Sequence, residues 1–453
     1  MSENDMLPTI HAAAEEIRDG RLSPVDLLEG CLEQIDRLES RIRAWVFVDE
    51  EGARIDAKRL THEITKGQWR GPLHGIPVGI KDIFDVFDWP TAAGSKLWEH
   101  SIARQDATVV ERLRQAGAVF VGKTVTTAFA SFDPPPTRNP WNLDRTPGGS
   151  SSGSAAAVAC RMCLGALASQ TGGSIVRPAS YCGVTGWKPT FGRVSVHGVV
   201  PLAPSMDHVG PIAVCVKDLA ILLQTIAGKD CRDWRSSAQP VPNLCARLTT
   251  RLSPSRIGRL HGFFDTMADA NLQGLMEEVT HRLRSRGAQV SDVPWPPGFN
   301  NVLARHRTVM AYEAAAFHRE RFVRHPGDYP PKISALLEEG LRCSEREYAQ
   351  AKNQQEQLTR EILGCFAEVQ ALLTPATTCS APAAESTGDP AFNSPWSYTG
   401  LPTISLPARW SPEGLPLALQ LVGPAWSEED LLHVALWCEE VLEFENKLVP
   451  FEK

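Results

Sequence analysis

Three stretches bring together hydroxyls, closely spaced backbone N–H groups and an amine, the components of base-assisted acyl chemistry. The first is Gly148-Gly149-Ser150-Ser151-Ser152-Gly153-Ser154, and the second is Thr171-Gly172-Gly173-Ser174. The third is Lys81, which sits between apolar Ile80 and Ile83 with Asp82 beside it. Glycine allows a backbone to approach another group closely, and a loop that runs into a helix N-terminus presents several unpaired N–H groups to one point. N–H groups aimed at a developing oxyanion are the core of acyl-transfer catalysis. Gly-Ser runs elsewhere are flexible linkers. Here the flanks are apolar, AAAVA at 155–159 among them, which argues for structural or catalytic loops. Lys81 has two readings: a solvated lysine paired with Asp82, or a buried lysine whose lowered pKa makes it a base.

A serine nucleophile needs a base, and two routes are open. Gly149 to Gly153 matches G-x-S-x-G, in which Ser151 would attack with Asp and His partners later in the chain, as in an α/β-hydrolase-like esterase. That motif should follow a strand, whereas Asn142 to Pro147 reads as a loop. Among the twelve histidines, His433 is a possible partner, but no histidine is singled out by its neighbours. The second route joins Lys81, Ser150 and Ser174.

These residues need a scaffold, and strands alternating with helices over most of the chain predict an α/β fold with a mixed, largely parallel-type central sheet and helices on both faces. Ile76–Ile80 reads as a strand ending at Lys81. Ala155–Cys163 reads as an Ala-rich helix, and Leu164–Ala168 as a short buried strand before the second Gly-Ser turn. Residues 8–18, 24–38, 50–66 and 107–117 have helical spacing, with Ser23-Pro24 as a helix start. Ala118–Val121, Gly192–Val200, Arg256–Phe263, Leu372–Thr374, Leu401–Leu406 and Leu417–Val422 are predicted strands. Pro204–Pro211 is predicted as a loop, and Glu428–Leu442 as a closing helix. The organisation expected is an N-terminal helical region (1–70), a core (71–229 and 371–453) and a mainly helical cap (230–370) that sets specificity.

The chain has 453 residues, 43% hydrophobic and 22% charged, which is ordinary globular composition. A net charge of −7 argues against nucleic-acid or anionic-membrane partners. No run of about 18 apolar residues predicts a membrane span, and the N-terminus lacks the apolar core of a secretory signal. Eleven cysteines at irregular spacing predict free thiols in a reducing cytoplasm. Cys160-x-x-Cys163 lacks a second pair, so packed thiols are expected there rather than a metal or redox site.

Taken together, GIPVGIKDIFDV (75–86), GKT (122–124), PTRNPWN (136–142), PGGSSSGSAAAVA (147–159), QTGGSIVRPASYCGVTGWKPTFGRVS (170–195), SMDHVGP (205–211), LLTPA (372–376), GLPTISLPA (400–408) and LPLALQLVG (415–423) resemble the amidase signature family of serine hydrolases. The matches run in family order across most of the chain. The resemblance implies the amidase signature fold and a Ser–cis-Ser–Lys triad. Ser174 is the nucleophile, Ser150 the bridging serine with a cis peptide bond, and Lys81 the base. Thr171, Gly172, Gly173 and Ser174 would supply oxyanion N–H groups. No metal or organic cofactor is implied.

Departures from the commoner family pattern are Gln170 for Asp, Val176-Arg177 for Arg–apolar, Ser152 for Gly, and Val125 and Ala128 for Asn and Glu. They favour a stand-alone amidase or urethanase over the A-type subunit of a glutamine amidotransferase, which remains the alternative. The expected substrate is a small amide, aryl amide or carbamate, with possible esterase activity. Phe129, Phe132, Trp396 and Tyr398 are candidates for an apolar substrate pocket. Ser151 and Gln170 are candidates for substrate contact or loop orientation. A monomer or homodimer is expected.

Overall fold

The computed structural model describes residues 7–445 and 447–450. Eleven strands form one sheet: β1 (Trp45–Val48), β2 (Pro77–Lys81), β3 (Val119–Thr124), β4 (Gly165–Gln170), β5 (Thr185–Lys188), β6 (His208–Ala213), β7 (Arg256–Leu260), β8 (Gln289–Val293), β9 (Ala371–Pro375), β10 (Thr403–Trp410) and β11 (Pro416–Val422). Their order is β1-β3-β2-β4-β6-β5-β10-β11-β9-β7-β8. The sheet is mixed, as expected, but parallel pairing is confined to two blocks, β3-β2-β4 and β8-β7-β9. The remaining neighbours pair antiparallel. The correction lies in the middle of the sheet: β6, β5, β10 and β11 follow one another through antiparallel partners rather than crossover helices.

Helices cover both faces, and strand alternation assigns each side chain to a face. On β4, Leu167 joins a core with Leu219 and Leu222 of the Val216–Ile226 helix. Its neighbours Ala166 and Ala168 join a second core with Ala155, Ala156 and Val158 of the Ser152–Ala159 helix. Because β2, β3 and β4 are buried along their whole length, they read in sequence as continuous apolar runs rather than alternating ones.

Helix ends follow local chemistry. Ser23 Oγ accepts the Asp26 N–H at 3.0 Å and starts the Pro24–Ile42 helix. The closing helix spans Glu428–Leu442 as predicted. Two predicted segments differ. Gly192–Val200 forms no strand: Gly192 and Gly198 take φ of 78° and 76°, and the stretch makes only the single bridges Val194–Ala227 and Phe84–Val199. Conversely, the predicted loop Pro204–Pro211 yields β6 from His208 onward, a strand whose Gly210 and Pro211 disguise it in sequence. Residues 230–370 carry long helices at Val302–Arg324, Pro331–Arg342 and Glu345–Leu363, but also β7 and β8, which extend the main sheet.

This topology creates the place where chemistry can occur. β2 and β4 run parallel with Ile80 opposite Leu167, so their C-terminal ends, Lys81 and Ser169-Gln170, lie side by side. Crevices at the C-terminal ends of parallel strands are the usual binding sites of such sheets. The Ser152–Ala159 helix closes the space from one side. Its Gly153 packs so tightly that an added Cβ would lie 2.1 Å from Ala44 O and 2.4 Å from Val125 N. Both are backbone atoms that cannot rotate away. Gly153→Ala is therefore expected to destabilise the protein by about 1–3 kcal/mol or more, the usual range for overpacking, read as a lower urea midpoint with unchanged m-value.

Candidate active site

Lys81, at the end of β2, is fully buried. Its Nζ lies 2.8 Å from Ser150 Oγ, 2.9 Å from Ser151 Oγ and 2.8 Å from Ser169 Oγ. No carboxylate among the described residues touches it. The ordinary reading, Lys81 paired with Asp82, fails: Asp82, in the turn just past the end of β2, pairs with Lys123 at 3.0 Å instead. Burial pushes the Lys81 pKa well below the usual lysine value, and the charge of Asp207 opposes this only in part. A neutral amine has two N–H donors and one lone pair. Ser151 Oγ donates to Ser169 O at 3.3 Å, so it accepts from Nζ. In the neutral form the Ser150 and Ser169 hydroxyls would share the second N–H and the lone pair.

Ser150 follows a cis Gly149–Ser150 peptide. Arg177 Nη2 donates to Gly149 O at 2.7 Å, and Nη1 to Gly388 O at 2.9 Å. Burial lowers the Arg177 pKa to about 10, which leaves it charged at neutral pH. Ser152 Oγ donates to Gly148 O at 2.7 Å and closes the loop on itself.

Ser174 occupies the turn between β4 and the Val176–Cys182 helix and is 7% exposed. Its hydroxyl has no hydrogen-bond partner among the described residues, so the structure joins Lys81 to Ser150 but does not bond Ser150 to Ser174. The turn is held by its surroundings. Gln170 Oε1 accepts from Ile175 N–H at 2.9 Å and Val176 N–H at 3.1 Å, and its Nε2 donates to Ser397 Oγ at 3.1 Å. Thr171 Oγ1 donates to Asp207. His306 Nε2 lies 2.8 Å from Thr171 O. Burial drives the His306 pKa to about 4, so the ring is neutral near pH 7 and Nε2 carries the proton that Thr171 O accepts.

The proposed pocket residues separate differently from expectation. Trp396 is fully buried among Phe264, Phe299 and Phe392. Phe129 is fully buried against Trp98, His318 and Tyr329. The Tyr398 hydroxyl lies within hydrogen-bond reach of Ala351 O and Gln354 Oε1, either of which can take its one proton, and thereby anchors the Glu345–Leu363 helix. These three aromatics are core, and large rings contribute much of the area buried there. Phe132 alone stays half-buried. Gln170 fastens the Ser174 turn, with both side-chain polar atoms engaged by protein, which is the loop-orienting reading. Ser151 is a partner of Lys81. It follows a loop, and no histidine contacts it, which removes the nucleophile-elbow alternative.

Sequence reasoning missed Ser169, Asp207 and His306. Ser169 had a signal, a hydroxyl at a strand end one residue from the Gly-rich turn; His306 had none. All eleven cysteines are free thiols, and Cys160 and Cys163 are buried. Among the described residues, His11, Cys215 and Asp218 offer ligand atoms within 4.8 Å of one another. Asp218 already accepts the backbone N–H groups of Ile10 and His11 at 2.9 Å each and faces His11 Nδ1 at 2.8 Å, which fastens the Ile10–Arg18 helix. No helix among the described residues is long and apolar enough to cross a membrane.

A family model, Amidase, matches residues 26–432, and the chain belongs to that family, the amidase signature enzymes. The Mycobacterium tuberculosis strain H37Rv protein AmiD, a putative amidase by name, is 35% identical over 458 residues, covering 96% of this chain and 94% of its own. The A-type subunit of the glutamyl-tRNA(Gln) amidotransferase of Geobacter sp. strain M21 is 34% identical over 480 residues, covering 98% and 99%. The structure of a peptide amidase from Stenotrophomonas maltophilia superposes with a TM-score of 0.86 at 29% identity, covering 98% of this chain and 99% of that one.

The buried amine has a consequence for stability. In the unfolded chain Lys81 titrates near ~10.4, and in the fold its pKa is lowered. Between the two values the unfolded state binds the extra proton, so stability rises with pH. Lys81→Met removes this dependence. The stability of the native protein relative to Lys81→Met is expected to increase from the folded-state pKa up to pH ~10.4 and then level off, as measured by urea unfolding across that range.

Proposed function

We propose that the protein hydrolyses the C–N bond of a small amide, aryl amide or carbamate through an acyl-enzyme on Ser174. The carrying observation is a fully buried Lys81 whose Nζ partners are all hydroxyls, with Ser150 Oγ at 2.8 Å. In this reading neutral Lys81 accepts the Ser150 proton while Ser150 accepts the Ser174 proton, and Ser174 Oγ attacks the carbonyl carbon. The Ser150–Ser174 hydrogen bond belongs to the substrate-bound state, since catalytic hydrogen bonds often tighten only there.

Charge on the carbonyl oxygen is met by N–H groups of the Thr171–Ser174 turn. The three N–H groups of Gly172, Gly173 and Ser174 have no acceptor among the described residues, which supports that role. Thr171 supports the turn through its carbonyl and hydroxyl. Collapse of the tetrahedral intermediate breaks the C–N bond as the proton returns through Ser150 to the leaving nitrogen. Water, deprotonated along the same relay, then releases the acid and restores Ser174. A carbamate offers the same carbonyl geometry, so its cleavage follows the same steps.

The likeness to an A-type amidotransferase subunit supports a second reading, glutamine hydrolysis feeding a partner. Gln170 weighs against it: its Nε2 donates to Ser397, a bond that the Asp of the commoner pattern cannot make. Glutaminase activity that depends on a co-purifying second protein would favour this reading.

Ser174→Ala, Ser150→Ala and Lys81→Ala are each expected to lower kcat on an aryl amide by ~10³-fold or more, and the double Lys81→Ala/Ser150→Ala by no more than the worse single change, because members of one relay are not additive. Near-normal turnover by Ser174→Ala would sink the reading. In the native enzyme kcat/KM should rise with pH along an acid limb set by Lys81 deprotonation, and a panel of amides, esters and carbamates would rank the substrate classes.

A further inference from the structure

The turn that carries Ser174 turns its carbonyls into the protein. Thr171 O accepts from His306 Nε2 at 2.8 Å. Gly172 O accepts from Ser397 Oγ at 2.8 Å. Gly173 O accepts from Arg177 N–H at 2.9 Å. In a trans peptide the C=O and the following N–H point in opposite directions. Gly149–Ser150 is the one cis peptide among the described residues, so the peptides of this turn are trans. Each bond to a carbonyl therefore aims the next N–H: the Thr171 carbonyl sets Gly172 N–H, the Gly172 carbonyl sets Gly173 N–H, and the Gly173 carbonyl sets Ser174 N–H.

Two of these fastenings are local to the core, one from the helix that follows Ser174 and one from the Ser394–Tyr398 helix. The third comes from the long Val302–Arg324 helix, 135 residues further along the chain. We propose that His306 is a positioning residue for the oxyanion turn, its imidazole N–H holding the Thr171–Gly172 peptide so that Gly172 N–H faces the substrate's carbonyl oxygen. This inference rests on the acyl-enzyme reading above.

The supporting structure is rigid where the role requires it. His306 is 3% exposed. Its Cε1 lies 3.6 Å from where a Cβ on Gly172 would sit, so ring and turn are in contact. The helix beneath it cannot drift, because Gly340 of the Pro331–Arg342 helix packs directly on Ala311, where an added Cβ would fall 1.9 Å from the carbonyl oxygen. On the opposite side, Tyr398 meets the His306 ring at a centroid distance of 6.4 Å. Precise aim matters because an oxyanion donor removed from its place typically costs ~10²–10³-fold in kcat.

The test compares His306→Met, which keeps bulk without a donor, with His306→Gln, which keeps an N–H donor. Melting temperature, kcat, KM and inhibition by a substrate-like aldehyde, whose bound hemiacetal mimics the tetrahedral intermediate, are measured for each. His306→Met is expected to lose ~10-fold or more in kcat with KM changed less than ~3-fold, and to weaken the aldehyde by the same factor as kcat. His306→Gln should recover most of both. Equal kcat loss in the two variants, a loss confined to KM, or an unchanged aldehyde constant in His306→Met would overturn the proposal. If His306→Met does not fold, His306→Gln decides alone: kcat and aldehyde binding close to native support the role, and a drop in both with native melting overturns it. Ser174→Ala assayed in parallel separates the two claims. Loss of turnover there with no effect at His306 removes only the positioning role, whereas retained turnover removes the acyl-enzyme reading itself.

Discussion

An amine held away from water with only hydroxyls for company is the constraint on which the rest of the site depends. Burying an ammonium without a counter-ion is costly, and the group sheds its proton instead. The contrast with two other buried lysines is instructive. Lys123 has the Asp82 carboxylate together with the carbonyls of Phe84 and Pro90 and the Thr91 hydroxyl. Lys188 has the carbonyls of Pro189 and Leu401. Carbonyls and carboxylates accept only, so they call for N–H donors. Hydroxyls can donate as well as accept, so Lys81 alone of the three has partners, Ser150 and Ser169, that can use its lone pair.

The acids nearby are placed to leave that amine free. Asp82, just past the end of β2, is engaged by Lys123. Asp207, the carboxylate whose charge reaches Lys81, is committed to the backbone N–H groups of Leu202 and Ala203 and to the Thr171 hydroxyl. Elsewhere the fold pairs buried charge in the ordinary way, as with Arg193 and Glu428 at 2.9 Å. Among the described residues Lys188 and Arg177 are also buried without a carboxylate partner, but carbonyls accept from both, whereas the acceptors of Lys81 are hydroxyls.

Division of labour follows from topology. The parallel block β3-β2-β4 supplies Lys81 and Ser169 from adjacent strands, and the loop before the Ser152–Ala159 helix supplies Ser150 and Ser151. The helical segment between β8 and β9 adds no group to that cluster, yet it supplies His306 to the neighbouring turn and buries the aromatic rings that the sequence offers as pocket walls. Positioning is therefore drawn from a part of the chain whose sequence carries no catalytic pattern.

The sequence by itself determined the α/β alternation, most strand and helix locations, the two Gly-Ser turns and the family. These follow from local rules: apolar runs for buried strands, Ser-Pro for a helix start, Gly where backbone must approach backbone. Gly192, Gly198 and Pro211 misled those rules, since the same residues mark a turn in one setting and are tolerated in a strand in another. Only the tertiary structure decided whether Lys81 pairs with its neighbour or is buried with its pKa lowered, which hydroxyls reach it, and that Phe129, Trp396 and Tyr398 are core. Each of those outcomes depends on what distant segments bring within a few ångströms. Burial and hydrogen-bond partnership are properties of the packed chain, and neither spacing nor composition encodes them locally.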